Sequence, residues 1–350
     1  MTISQVIFRL LEIAFALYLA RKTIEWVKKW RLARKVKPQK QTDLPKKVKH
    51  ISLFSQLKRQ VDADKVIHKQ KCTPLKLGKV TKLEHLWNKI RGTLDSRLTN
   101  WRDRILQGGQ VSAVDAREQR HQFSDNEVFE GIVKAVLSNS TDWSRIEPVL
   151  SELQDLFHGF DLSYYSTLDS NDISNVFIPW FQRRKAGSMT MKRSLVDLIE
   201  TASKLGEHSQ QYGSLNQYFA SLLETTGNNA IYLVKSIGSP SSKHKLPALG
   251  IALAAEAMKN IGYDVTKPDR HINRAMGSFK LVQFSNWPDR SVRKAPLANE
   301  KELITVMLEA AKYARDVGVR ISFLDNTIWL LCAKSGLQFS NNALGELITE

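Results

Sequence analysis

From Ser124 onward the chain repeats one pattern: a capping residue, then apolar side chains at helical spacing. Ser124 with Glu127 forms a capping box ahead of the stripe Val128, Phe129, Ile132, Val133, Val136 and Leu137. Ser144 with Glu147 repeats it before Val149, Leu150, Leu153 and Phe157. Leu195, Val196, Leu198, Ile199, Ala202 and Leu205 make a further helix, closed by Gly206. Asn299 with Glu302 opens another that ends at Gly318. Stripes of this kind must be buried against other helices, so a run of them predicts layered helical packing. Only residues 319–323 read as a strand candidate, and no repeat of 20–50 residues is visible. The fold class expected is all-α.

Charge divides the chain differently. Residues 1–120 hold 28 Lys/Arg against 10 Asp/Glu, whereas residues 121–350 hold 24 against 25. The net charge of +17 therefore belongs to the first third and points to an anionic partner, nucleic acid or membrane surface. A solubilising tail is the plainer reading of the same excess. Two cysteines exclude a disulfide scaffold and suit a reducing compartment.

The first twenty residues are apolar, with Val6, Ile7, Phe8, Leu10, Leu11, Ile13, Phe15, Leu17 and Leu19. Those nine favour insertion by roughly −4 kcal/mol, and Arg9 and Glu12 at the centre cost roughly +5 to +6. A helix lying in a membrane interface, or against protein, fits better than a spanning one. No cleaved signal is expected, because a basic n-region and a small-x-small site are missing. Residues 21–49 are basic with Trp26 and Trp30 interleaved, a composition suited to stacking on bases or to an anionic membrane. Beyond it, Leu83, Leu86, Trp87, Ile90 and Leu94 form the clearest stripe, and Gly108-Gly109 marks the expected domain boundary. The expected organisation is an amphipathic helix at 1–20, a basic, mostly helical extension and linker at 21–120, and a helical domain at 121–340.

One stretch carries chemistry. Lys245-Leu246-Pro247-Ala248-Leu249-Gly250 leads into the apolar helix 251–261, ended by Gly262. A short loop then reaches Pro268-Asp269-Arg270-His271-Ile272-Asn273-Arg274. A hairpin entering a helix N-terminus presents backbone N–H groups to which a DNA phosphate can dock without any base being read. Pro268 suits the first turn of the following helix, whose dipole keeps Asp269 ionised. A carboxylate beside a docked phosphate makes sense if positive charge develops on the sugar as a glycosidic bond breaks.

These residues resemble the helix-hairpin-helix DNA glycosylases. The family's hairpin runs Leu-Pro-Gly-x-Gly, matched by Leu246 to Gly250 with Ala248 for the first glycine. Its catalytic aspartate sits in Asp-x-His-x-x-Arg, matched by Asp269, His271 and Arg274. Leu137-Ser138-Asn139-Ser140-Thr141-Asp142 is similar to an early Leu-Ser-x-Gln-x-Thr-Asp stretch, with Asn139 near the glutamine. Phe129-Glu130-Gly131 and Gly159-Phe160-Asp161 resemble 3-methyladenine DNA glycosylase I in particular. The resemblance spans residues 121–340 and implies a helix-hairpin-helix DNA glycosylase-like domain.

Three departures refine it. Strand-cutting members carry a lysine two residues after the hairpin's last glycine, where Ala252 stands, so no lyase step is expected. Only Cys332 follows Asp269, which excludes the family's four-cysteine iron–sulfur cluster. Cys72, Cys332 and eight scattered histidines show no zinc spacing, so neither metal nor cofactor is expected.

The resemblance implies a monofunctional glycosylase, monomeric, cytoplasmic and DNA-associated, that excises an alkylated purine from double-stranded DNA. Asp269 is the expected catalytic residue, with Glu130 the second candidate. DNA contacts are expected from Lys245, Leu246, Pro247, Ala248, Leu249, Gly250, Asn139 and Arg274, with Arg274 either tying its segment down or meeting a phosphate. A base pocket is expected from one or two of Trp143, Tyr164, Tyr165, Trp180 and Phe181, the others being core. Two rivals remain: a non-catalytic DNA-binding protein of the same fold, and a peripheral membrane protein held through residues 1–49.

Overall fold

The computed structural model describes residues 81–349, apart from positions 140, 142, 288, 291 and 292. The expectations placed on residues 1–49 and on Cys72 lie outside the described residues. The chain divides into units Met1–Lys76 and Leu77–Glu350, and the regular elements among the described residues of the second are all helices. It opens with α1 (Lys82–Arg97), α2 (Trp101–Gln107) and α3 (Gln110–Glu118). Next come α4 (Asp125–Leu137), α5 (Leu150–Leu156), α6 (Leu162–Ser166) and α7 (Ile178–Arg183). The long α8 (Met191–Tyr212) leads to α9 (Leu215–Thr225), α10 (Ala230–Gly238) and α11 (Ile251–Asn260). The last group is α12 (Arg270–Ser278), α13 (Glu300–Asp316), α14 (Ile321–Cys332) and α15 (Asn341–Glu346).

The capping boxes at Ser124/Glu127 and Asn299/Glu302 form as read from the sequence. The one at Ser144/Glu147 does not. Ser144 lies inside the single turn Trp143–Ile146, and Glu147 begins a 3-10 turn. Pro148, which has no N–H to donate, breaks the helix there. Helix α8 does not close at Gly206 either; it runs on to Tyr212 and stops at Gly213, whose φ is 86°. An interior glycine costs only about 1 kcal/mol, and the last turn is held by His208 stacked on Tyr218, ring centroids 4.0 Å apart. Residues 319–323 are not a strand: Arg320 is the N-cap of α14, and no strand occurs among the described residues.

Two apolar cores organise the unit. The first lies among α4–α11 and contains Phe129, Phe157, Tyr165, Phe177, Leu198 and Phe219. The second joins α1–α3 to α12–α15 through Leu86, Trp87, Ile90, Leu94 and Trp101, packed with Ile272, Met276, Leu324 and Ile328. Helix α13 serves both, with Met307 in the first core and Val306, Ala310 and Tyr313 in the second. The boundary expected at Gly108-Gly109 is thereby corrected: these glycines join α2 to α3 within the second core. Arg320 pairs bidentately with Glu118, at 2.6 and 2.7 Å, and also with Asp115. Residues 82–118 are thus part of the folded unit rather than a linker. No helix among the described residues is long and apolar enough to cross a membrane.

Candidate functional site

The hairpin region connects α10 to α11. Gly238 ends α10 where it passes closest to α11; a Cβ there would stand 2.9 Å from the Ile251 Cα. Leu246 and Leu249 are buried anchors. Leu249 N–H donates to the Leu246 carbonyl at 3.0 Å, which closes the turn. Ala248 takes no positive φ, so this turn makes no demand for the glycine it replaces. Its N–H donates to Thr201 Oγ1 at 3.0 Å and is not presented to a phosphate, contrary to expectation. Lys245 also turns inward: its ammonium donates to the Leu246 carbonyl at 2.6 Å and to that of Leu249. Burial lowers its pKa. What faces outward is Gly250, exposed and without a side-chain cap. The first-turn N–H groups of α11 behind it have no acceptor within the helix.

The loop from α11 to α12 is fastened at several points. Gly262 has φ 85°, and a Cβ there would lie 2.2 Å from the Ala113 carbonyl oxygen. The Asp264 carboxylate accepts from the N–H groups of Ile321, at 3.0 Å, and Ser322, at 2.7 Å, and so caps α14. Lys267 N–H donates to Asp325 Oδ1 at 3.0 Å, and its ammonium donates to Ser138 Oγ at 3.0 Å. That last bond brings the end of α4, beside half-buried Asn139, to the Asp269 segment. Asp269 itself is the N-cap of α12. Its Oδ1 accepts from His271 N–H at 2.8 Å and Ile272 N–H at 3.1 Å. Pro268 therefore precedes the cap instead of occupying the first turn. Among the described residues, Asp269 Oδ2 accepts no protein hydrogen bond. Burial lowers the His271 pKa to about 4 although Asp269 opposes it, so the ring is neutral at pH 7.

Beneath this loop lies a cluster of buried charge. Lys259 pairs with Asp325 and, at 3.2 Å, with Glu256. Gln110 donates to Glu256 Oε1 at 2.9 Å. Burial alone would push the Glu256 carboxyl up, but Lys259 and Lys267 bring it down to about 2. Burial disfavours the Lys259 ammonium, yet Asp325 and Glu256 hold its pKa above the ordinary lysine value. None of these polar residues is singled out in the sequence, where 251–261 reads only as an apolar helix.

Several expected site residues are corrected. Arg274 is only 2 % exposed and cannot reach DNA. Its guanidinium donates to Asn341 Oδ1 at 2.7 Å and to the Phe339 carbonyl at 2.5 Å, tying α12 to α15. Tyr165 is wholly buried, and its hydroxyl donates to the Leu195 carbonyl at 3.1 Å, so it is core and stacks no base. Phe181 is core as well. Trp143, Tyr164 and Trp180 are half-buried. Tyr164 stacks on His158 with centroids 3.8 Å apart, and Arg184 covers the Trp180 ring at 3.9 Å.

Glu130 lies elsewhere. It pairs with Lys134 at 2.7 Å and lines a cavity of about 460 Å³ with Asn126, Leu150, Gln154, Gly159 and Phe160. The segments around Glu130 and Gly159, distant in sequence, therefore meet at one cavity, and Asp269 does not line it. The cavity backbone is unusual, since His158, Gly159 and Phe160 all have positive φ.

Met189 was not singled out by pattern. It stands at the tip of the turn before α8, 103 % exposed, with exposed Arg183, Lys185, Lys192 and Arg193 around it in sequence. Residues 173–196 hold five cations and no acid, and that run was the available signal. No protein-family model, curated protein or solved structure matches the chain.

Proposed function

We propose that this chain is a monofunctional DNA glycosylase of helix-hairpin-helix type that removes an alkylated base from duplex DNA and leaves an abasic site. One observation carries the reading: the Lys267–Ser138 hydrogen bond joins the two segments that resemble the glycosylase site, with an oxygen of Asp269 left unbonded. The outward N-terminus of α11 supplies N–H donors for one phosphate. The exposed cations Arg183, Lys185 and Lys192, from a sequence run without acids, supply positive charge for others. Met189 is an apolar wedge of the kind that enters between base steps when a nucleotide is flipped. Asp269 offers fixed negative charge where the sugar becomes cationic.

A second reading assigns the carboxylate role to Glu130, and the cavity at Gly159 and Phe160 favours it. The deciding experiment is release of free base from duplexes carrying alkylated, deaminated or oxidised bases. Release of an alkylated base, with no borohydride-trapped protein–DNA adduct, is the expected result. No release from any duplex would leave a DNA-binding protein without this chemistry.

A further inference from the structure

Ionised groups are expensive to bury, and apolar residues of the same size often serve stability as well. Glu256, Lys259 and Asp325 are nonetheless withdrawn from solvent together. Asp325 makes a bond that an apolar residue could not: its Oδ1 accepts the N–H of Lys267, two residues before Asp269. The Lys267 carbonyl in turn accepts the Asp269 N–H at 2.7 Å. Asp264, three residues upstream of Lys267, caps the same helix that carries Asp325. The loop is thus fixed to α14 at two points. Lys267 Nζ extends the restraint to Ser138 at the end of α4.

We propose that Asp325 is a positioning residue for Asp269, which rests on the reading of Asp269 as the charge that faces the sugar. Lys259 compensates its charge against the opposing carboxylate of Glu256, and Asp325 sets the backbone from which Asp269 aims Oδ2. Geometry of this kind acts strongly on rate, since misplacement by about 1 Å can cost about 10²-fold.

The test uses the full chain and two paired variants. Asp325→Ala with Lys259→Ala removes both the charges and the acceptor. Asp325→Asn with Lys259→Gln removes the charges and leaves an oxygen for the Lys267 N–H. Single-turnover excision, duplex affinity and amide hydrogen exchange are measured on each. The alanine pair is expected to keep affinity within about twofold and to slow excision at least about tenfold. It should add nothing further in an Asp269→Asn background. Exchange should speed up only across residues 264–272. The Asn/Gln pair should recover most of the rate. Additive loss in the Asp269→Asn background, equal rates for the two pairs, or faster exchange across the whole unit would overturn the proposal. If the unmodified chain releases no base, the reading of Asp269 fails separately, and exchange alone decides: a change confined to 264–272 upholds positioning, and a uniform one rejects it.

Discussion

In the proposed glycosylase reaction Asp269 and Glu130 are the two candidates for one role, and isosteric changes separate them. Asp269→Asn keeps the cap, because asparagine caps helices well. It is expected to lower excision by about two to three powers of ten, the scale of losing one preorganised electrostatic group. Duplex affinity should hold or rise. Glu130→Gln should leave the rate near its original value; if the two results are exchanged, the cavity at Gly159 is the site. His271 gives a pH signature. Its folded pKa of about 4 lies below the unfolded value of 6.5, so the unfolded chain binds more protons between those values. Its neutral ring is therefore fully tolerated above pH 6.5, and stability falls by up to about 3 kcal/mol as pH drops toward 4. Urea midpoints at pH 7 and 4.5 should differ less for His271→Gln than for the original chain. Residue types were legible in the sequence at Asp269, and its segment pointed to a helix start. Of the two roles open to Arg274 in the sequence, a tie that holds its segment down and a phosphate contact, the structure shows the tie; the two look identical until Phe339 and Asn341 arrive from 65 and 67 residues away.

Among the elements, the loop between α11 and α12 is the least tolerant. Gly262→Ala must accept a positive φ and a Cβ 2.2 Å from the Ala113 oxygen. Left-handed backbone costs about 1–2 kcal/mol and overpacking about 1–3 more. A loss of at least about 2 kcal/mol in denaturant unfolding is expected, and an unchanged midpoint would refute this account. The turn before α8 should behave in the opposite way, because Met189 supports nothing in the fold. Met189→Ala should leave the melting temperature unchanged. It should reduce the fluorescence rise of 2-aminopurine placed beside a lesion, with overall affinity altered little. A rise equal to that of the original chain would remove Met189 from the interface. Helix positions followed from 3.6-residue spacing and caps, as at Ser124 and Asn299. The failures at Ser144 and Gly206 have local causes: Pro148 broke one helix, and packing on Tyr218 carried the other past a glycine. Which turns face outward is set by packing, so Met189 carried no mark of exposure.

On the scale of the molecule, Met1–Lys76 holds 19 Lys/Arg against 5 Asp/Glu, most of the chain's excess charge. Removing residues 1–76 should leave the melting temperature of the remainder within a few degrees. It should weaken duplex binding and flatten its salt dependence, because fewer counterions are released. Affinity and salt slope that do not change would assign the segment to another partner, and binding to anionic vesicles would then be the comparison to make. Removing residues 1–110 is a different experiment. It takes Leu86, Trp87, Ile90, Leu94, Trp101 and Ile105 out of the second core. Truncating even one such side chain costs about 2–5 kcal/mol against a total stability of about 5–15. The polar glycine-containing stretch after residue 107 looked like a boundary because local composition cannot reveal that α1 closes against residues two hundred positions later.

That closure bears on how the protein is made. The buried residues of the first core come from 123–265 and Met307, with Ala113, Ala116, Leu303, Ile304 and Ala311 packed at its edge. The second holds Leu86 and Ile90 in one core with Ile328 and Leu344, the Trp87 ring meets that of Phe323, and Lys89 reaches the carbonyl of Thr349. During synthesis the first core can therefore assemble while the ribosome is still translating. The apolar face of α1, made earliest, must wait for the last helices to leave the exit tunnel. Through that interval it is a hydrophobic surface without its partner, the kind of exposure that invites aggregation or a chaperone.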